Sequence, residues 1–176
     1  MIMKIYLIRH GEPDYGPVTN AGYTGFGRDL SPLTKQGVLQ AQHCAEQPIF
    51  NEVQLILASP YTRALQTATE IVRRHNRPLQ VELGLHEWYP DKSGWQIKSG
   101  HQAMAAYDEY TANHGQTNET QTWDYETSAD IRHRVQAVFD KYQHYQCIAC
   151  VTHSEVMRQF GDWRRIGYCE VKMIQQ

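Results

Sequence analysis

The sequence predicts an α/β protein of three layers (α/β/α), with helices on both faces of a mostly parallel central sheet. Three observations carry that expectation. Apolar runs at 5–8, 53–59 and 147–152 lack the alternation of a half-solvated strand, as strands covered on both faces do. Segments with apolar residues at helical spacing stand between them. Runs and segments also alternate along the chain, an order that requires crossover connections.

Ile5, Tyr6, Leu7 and Ile8 form the first strand and run, with no polar spacer, into Arg9, His10 and Gly11. Residues 11–33 make a long loop holding five glycines and three prolines; inside a compact domain such a length usually signals function. Thr34 caps a helix to about Gln47, with Val38, Ala41 and Ala45 on its apolar side. After the second strand, Ser59 and Pro60 are a cap and first-turn pair for a helix through about Arg74. Its inward face is Ala64, Leu65, Ala68, Ile71 and Val72. Residues 79–83 alternate as a third strand. The stretch 84–126 is polar and aromatic, and is expected to form a loop and helical cap with one helix near 100–113. A helix over about 128–144 places Ile131, Val135, Val138, Phe139 and Tyr142 on one face. Residues 147–152 form a fourth strand, followed by a short helix and a final strand near 167–174. No linker or repeat divides the chain, so residues 1–176 are expected to form a single domain.

A formal charge of −2 excludes nucleic acid as the default partner. No apolar run reaches membrane-spanning length, and the first residues lack the signature of a secretory signal. The four cysteines are scattered in apolar settings, so the expectation is a reduced, cytoplasmic protein with its thiols in the core. Cys147 and Cys150 imitate a redox pair, but residues i and i+3 of a strand face opposite sides. The nine histidines lack zinc-ligand spacing when read with the cysteines.

Ligands of open α/β sheets bind beyond the carboxyl ends of the strands. The reactive residues of this chain sit there. The first strand delivers Arg9 and His10, and the helix after the second carries Arg63 in its first turn. Glu87 follows the third strand, and the fourth delivers His153. Singly each has an ordinary structural explanation; a scattered surface-charge pattern gives no reason for all five to follow strands. Two guanidiniums suit the oxygens of a phosphoryl group. Their charge pushes a neighbouring imidazole toward its neutral, nucleophilic form, so His10 can attack phosphorus. His153, if cationic when phosphate is bound, stabilises the equatorial oxygens. Glu87 can protonate the leaving oxygen and then accept a proton from water. Gly11 is expected to allow close approach of backbone to phosphate.

These residues carry a resemblance. Arg9-His10-Gly11-Glu12 resembles the signature of the histidine phosphatase superfamily, also termed phosphoglycerate mutase-like, and the small phosphatase branch of it. "SPLTKQGVLQAQ" (31–42), "ASPYTRALQTA" (58–68), "LHEW" (85–88) and "VTHSEVMR" (151–158) are similar to further segments of that family, in the right order. The resemblance implies a phosphoglycerate mutase-like fold and a histidine acid-type phosphatase with His10 as the phosphorylated nucleophile. Arg9, Arg63 and His153 would form the phosphate pocket, Ser154 would add its backbone N–H, and Glu87 would be the proton donor. No metal or organic cofactor is implied, and the substrate would be a small phosphorylated metabolite or a phosphoprotein. A phosphoglycerate mutase is the alternative, but must exclude water from the phosphoenzyme. A non-catalytic phospholigand-binding protein is the third reading.

The departures fall on the substrate side. Ser154 stands where the family usually has glycine, and Glu155 would repel an anion unless it points away. Pro13 replaces threonine or serine, the familiar asparagine after His10 is absent with Gly16 near its place, and Thr24-Gly25 is about two residues too far from Leu33. The aromatics Tyr15, Tyr23, Phe26, Trp88, Tyr89, Trp95 and Trp123 fall in two long loops that should overhang the site. Arg28, Lys92 or Lys98 are candidates to meet a second anionic group there. The substrate and the oligomeric state stay open.

Overall fold

The computed structural model describes residues 2–176. Five strands form one sheet in the order β3-β2-β4-β1-β5. These are β1 (Lys4–Arg9), β2 (Leu55–Ala58), β3 (Leu79–Val81), β4 (Cys147–Thr152) and β5 (Val171–Gln175). Pairings among the first four are parallel, and β5 joins the edge antiparallel to β1. Six α-helices accompany them: α1 (Gly16–Asn20), α2 (Lys35–Cys44), α3 (Thr62–His75), α4 (Gly100–Ala112), α5 (Ser128–Lys141) and α6 (Ser154–Arg158).

The apolar strands divide their side chains by the two-residue period of the pleat. Ile5, Leu7, Leu55, Leu57, Ile148 and Cys150 enter the core shared with α4, α5 and α6. Tyr6, Ile8, Ile56, Ala58, Ala149 and Val151 enter the other, under α2 and α3. Cys147 and Cys150 follow the same rule, one in each core, and all four cysteines are free and buried. Among the described residues no helix is long and apolar enough to cross a membrane.

Capping chemistry fixes several helix starts. Thr34 Oγ1 accepts from Gly37 N at 2.8 Å, and Thr127 and Asp130 form a reciprocal capping box at α5. The expected start of α3 shifts by two residues. Ser59 does not cap it; Tyr61 does so without a side-chain bond, because the Ser59 hydroxyl is engaged elsewhere. The 11–33 loop is less irregular than expected, containing α1, a 3-10 helix (Gly25–Leu30) and a bridge between Pro13 and Leu33.

Parallel register is what positions the chemistry. Arg9 pairs with Thr152, and His10 N donates to the Thr152 carbonyl at 3.0 Å, so His10 and His153 leave adjacent strands side by side. Ala58 pairs with Val151, which brings Ser59 to the same level.

Candidate active site

His10 is buried, and its Nδ1 lies 2.7 Å from the Gly11 carbonyl. A carbonyl only accepts, so Nδ1 carries the proton and Nε2 presents its lone pair. Arg63 Nε donates to that Nε2 at 3.3 Å. Burial, then the charge of Arg63 and more weakly of Arg9, lowers His10 to about 3, so the imidazole is neutral at ordinary pH. The His153 ring lies 5.0 Å from that of His10. It too is held well below its usual range, first by burial and then by Arg63.

Three of the four buried side-chain atoms without a hydrogen-bond partner among the described residues belong to this group: Arg9 Nε, Arg63 Nη1 and His153 Nδ1. Buried donors without partners are costly and usually point to function or a ligand. The other atoms of these side chains are held. Arg9 Nη1 donates to the Ile166 carbonyl at 2.5 Å, and its guanidinium lies 4.2 Å from the centre of the Tyr168 ring. His153 Nε2 meets Ser59 Oγ at 2.8 Å, while that oxygen accepts from Tyr61 N at 3.4 Å. A hydroxyl that accepts from a backbone N–H still has its own proton to give. Given to Nε2, it leaves the His153 proton on the free Nδ1.

Glu87 follows the third strand as expected, and Trp88 N donates to its Oε1 at 2.9 Å. Burial raises its carboxyl above the usual range, with Glu155 adding to the shift, which favours the protonated form that an acid catalyst needs. Its loop is clamped by Arg134, which makes a two-point ion pair with Glu126 (2.5 and 2.9 Å) and donates to the Gly84 carbonyl at 2.6 Å and the Glu87 carbonyl at 3.5 Å.

The Ser154-Glu155 departure resolves geometrically. Glu155 is buried and accepts from Tyr107 OH (3.1 Å), Tyr110 OH (3.0 Å) and Arg158 Nη1 (2.8 Å). Its carboxylate is spent on α4, tying the cap to α6. Ser154 opens α6 directly after His153.

Gly11 has a packing reason beyond the one expected. A Cβ there would stand 2.6 Å from the Gly37 carbonyl oxygen, and one on Gly37 would stand 2.3 Å from the Glu12 carbonyl oxygen. The backbone after His10 therefore lies directly on α2. Glutamines of the quoted segments complete that seat: Gln40 Oε1 accepts from Glu12 N at 2.9 Å, and Gln66 Oε1 from Leu33 N at 2.6 Å. Thr67 Oγ1 accepts from Gly11 N at 3.0 Å.

Sequence reasoning missed four neighbours. His86 is buried, stacked on Tyr89 with ring centres 3.8 Å apart, and lowered to about 4, first by burial and then by Arg134. Asp29 lies 3.8 Å from Arg63 Nη1 and is raised to about 6, burial outweighing Arg63 and a bond from Tyr61. Tyr168 covers Arg9, and Cys169, at φ 57°, donates its N–H to the carbonyls of Arg9 (3.0 Å) and His10 (3.3 Å). Only the left-handed backbone of Cys169, unusual for a residue with a Cβ, signals the last, and no sequence pattern encodes it. His86 lies within "LHEW" (85–88) and Asp29 two residues before "SPLTKQGVLQAQ" (31–42), so both were within reach.

Of the overhanging aromatics, Tyr15, Phe26, Trp88 and Tyr89 border a cavity beside the site; Tyr23, Trp95 and Trp123 are not in its wall. Lys92 pairs with Asp124 at 3.0 Å, and neither it nor Lys98 reaches the cavity, so of the three expected cations Arg28 alone stands there.

A family model described as the histidine phosphatase superfamily (branch 1) matches residues 5–164. The transcription factor tau 55 kDa subunit of Saccharomyces cerevisiae is 27% identical over 198 residues, 98% of this chain and 43% of that relative, so the chain spans less than half its length. The adenosylcobalamin/alpha-ribazole phosphatase of Escherichia coli is 27% identical over 161 residues, 88% of this chain and 75% of that protein. In fold, the chain resembles mycobacterial glucosyl-3-phosphoglycerate phosphatase in complex with VO3, with a TM-score of 0.70, 18% identity and coverage of 97% of this chain and 90% of that one.

Proposed function

Since the chain belongs to the histidine phosphatase superfamily, branch 1, we propose that it hydrolyses phosphomonoesters through a phosphohistidine on His10. The observation that carries this reading is the neutral His10 with Nε2 free of its own proton, set against two guanidiniums and a second imidazole that each keep one buried nitrogen without a hydrogen-bond partner.

In the first step His10 Nε2 attacks phosphorus in line, opposite the ester oxygen, which leaves with the proton of Glu87. Arg9, Arg63 and Nδ1–H of His153 hold the phosphoryl oxygens, with the Ser154 N–H as a further donor. In the second step Glu87, now a carboxylate, takes a proton from water as its oxygen attacks the phosphohistidine. Inorganic phosphate leaves, and His10 and Glu87 return to their starting states. Ser59 positions the His153 ring. No residue of this scheme calls for a metal.

Release of phosphate from p-nitrophenyl phosphate, with trapping of acid-labile phosphoenzyme, tests the reading. Hydrolysis that disappears in His10→Ala supports it. Phosphate release by that variant at an undiminished rate, or binding of phosphate with no turnover between mildly acidic and neutral pH, refutes it.

A further inference from the structure

A cavity of about 340 Å³ adjoins the site, and its wall is continuous with the phosphate pocket. Tyr61 belongs to it and packs 5.0 Å from the His153 ring, with the Arg63 guanidinium 4.9 Å from its centre. Trp88 belongs to it and donates to Glu87, the residue that would protonate the leaving oxygen. The cavity therefore lies beside the leaving-group side of the site.

The wall is apolar in what it offers. Phe26, Tyr61, Trp88, Tyr89, Ile97 and Tyr107 supply ring faces and an aliphatic surface. Their polar atoms are occupied. The Tyr61 hydroxyl faces Asp29 and Tyr89, Tyr107 OH donates to Glu155 at 3.1 Å, and Trp88 Nε1 donates to the Glu126 carbonyl at 2.7 Å. Asp91 spends its oxygens on Ser93, Gln96 and Ile97 within its own turn. The charges do not favour an anion either. Arg28 lies over the Tyr15 ring, 5.1 Å from its centre, and has two carboxylates, Asp29 and Asp91, in the same wall. With Arg63 offsetting Asp29 at 3.8 Å, a carboxylate or second phosphate on the leaving group would meet balanced rather than positive charge. A polyol would find few free partners for its hydroxyls.

Resting on the phosphomonoesterase reading, we propose that the cavity bounded by Phe26, Tyr61, Trp88 and Tyr89 selects phosphomonoesters whose leaving alcohol bears a planar, uncharged aromatic group. Rings of that kind stack against tilted aromatic walls and displace water from apolar surface without leaving a buried charge unpaired. The wall is also built to stay in place. Gly94 at φ 74° and Gly25 at φ 52° let the two loops touch, Phe26 filling the position that a Cβ on Gly94 would need.

The test compares 2-(2-naphthyl)ethyl phosphate with ethyl phosphate, 3-phosphoglycerate and glucose 6-phosphate in the full chain. The naphthyl ester is expected to exceed ethyl phosphate in kcat/KM by about 30-fold, and Phe26→Ala or Tyr89→Leu to narrow that ratio several-fold. Phe26 is 44% exposed and lies outside both hydrophobic cores, so its truncation removes no core packing. A higher kcat/KM for phosphoglycerate or the sugar phosphate overturns the assignment, as does a ratio the variants leave untouched. Calorimetry with (2-naphthyl)methylphosphonate against methylphosphonate reads the cavity without turnover, and equal affinity overturns it. Failure of every ester to turn over while the naphthyl phosphonate binds about 10-fold more tightly refutes the phosphatase reading and leaves the cavity assignment supported.

Discussion

Arg134 offers the sharpest test of how the Glu87 loop is held. Its side chain is 16% exposed and that of Glu126 is 6% exposed, and the two meet at 2.5 and 2.9 Å in a fork-to-carboxylate geometry. Arg134→Met keeps most of the side-chain volume but leaves the Glu126 carboxylate buried without its cation, while the Gly84 carbonyl loses its donor. Removing one partner of a buried pair costs about 3–5 kcal/mol, because the other charge is stranded. For a chain of this length that is a fall in Tm of roughly 10 °C. Glu126→Gln alone strands the arginine less severely, and the double variant is expected to recover about 2 kcal/mol relative to the sum of the singles. Arg134→Lys keeps the charge without the fork and falls between wild type and Met. Urea unfolding at neutral pH measures the four stabilities. At temperatures where each variant is folded, kcat should drop more for alkyl than for aryl phosphates, since a misplaced Glu87 matters most for poor leaving groups. A loss under about 1 kcal/mol for Arg134→Met, or additive singles, would refute the clamp.

Four further outcomes follow from the geometry. With His10 lowered to about 3 and Glu87 raised, kcat/KM should rise with pH through the His10 value and fall as Glu87 deprotonates; Glu87→Gln should lower the rate and abolish the alkaline fall, which a pH–rate profile reads. In stability the same His10 shift means that the unfolded chain binds more protons than the folded one below about 6.5. Stability is therefore full above that pH and lost as pH falls toward 3, with a shallower loss in His10→Asn. Gly37→Ala sets a methyl 2.3 Å from the Glu12 carbonyl oxygen, so it should cost at least 2 kcal/mol, roughly the overpacking penalty against rigid backbone, and lower phosphate affinity, as unfolding and titration will show. Glu155→Gln should raise phosphate affinity less than about 3-fold, since Arg158 at 2.8 Å already offsets most of that charge, while hydrogen exchange speeds up in Gly100–Ala112; a large affinity gain would contradict the view that this carboxylate serves the cap.

What was legible in the sequence divides along physical lines. Parallel strands buried on both faces must be continuous apolar runs, so the positions and carboxyl ends of β1, β2 and β4 could be read directly, and with them the places of Arg9, His10, Arg63 and His153; Glu87 follows the half-exposed edge strand β3, which was read by its alternation. Boundaries were readable where the chemistry is local, as at Thr34, where the side chain bonds three residues ahead. They failed where a side chain answers to a distant partner. Ser59 looks like a cap because serine before proline usually is one, yet its hydroxyl serves His153, 94 residues away. The direction of Glu155 was likewise invisible, since it depends on Tyr107 and Tyr110 arriving from α4. The loop aromatics were seen as a group, but which of them form a wall depends on how residues 25–26 and 94 meet.

The neutrality of the histidines explains why so many residues remote from phosphorus are needed. Burial first, and then the neighbouring guanidinium charge, keeps protons off both imidazoles, which suits a nucleophile but deprives His153 of the charge that would attract a phosphoryl oxygen. A neutral ring still serves if its proton sits on the correct nitrogen, and a free imidazole has little preference between the two. Ser59 supplies the preference at Nε2, just as the Gly11 carbonyl does at Nδ1 of His10. One ring thereby turns a lone pair toward Arg63 and its neighbour keeps a donor without a partner. Ser59→Ala should therefore weaken vanadate binding while leaving the acid limb of the pH–rate profile, which belongs to His10, in place. If that limb moved and vanadate affinity did not, the two tautomers would not be set by these separate bonds.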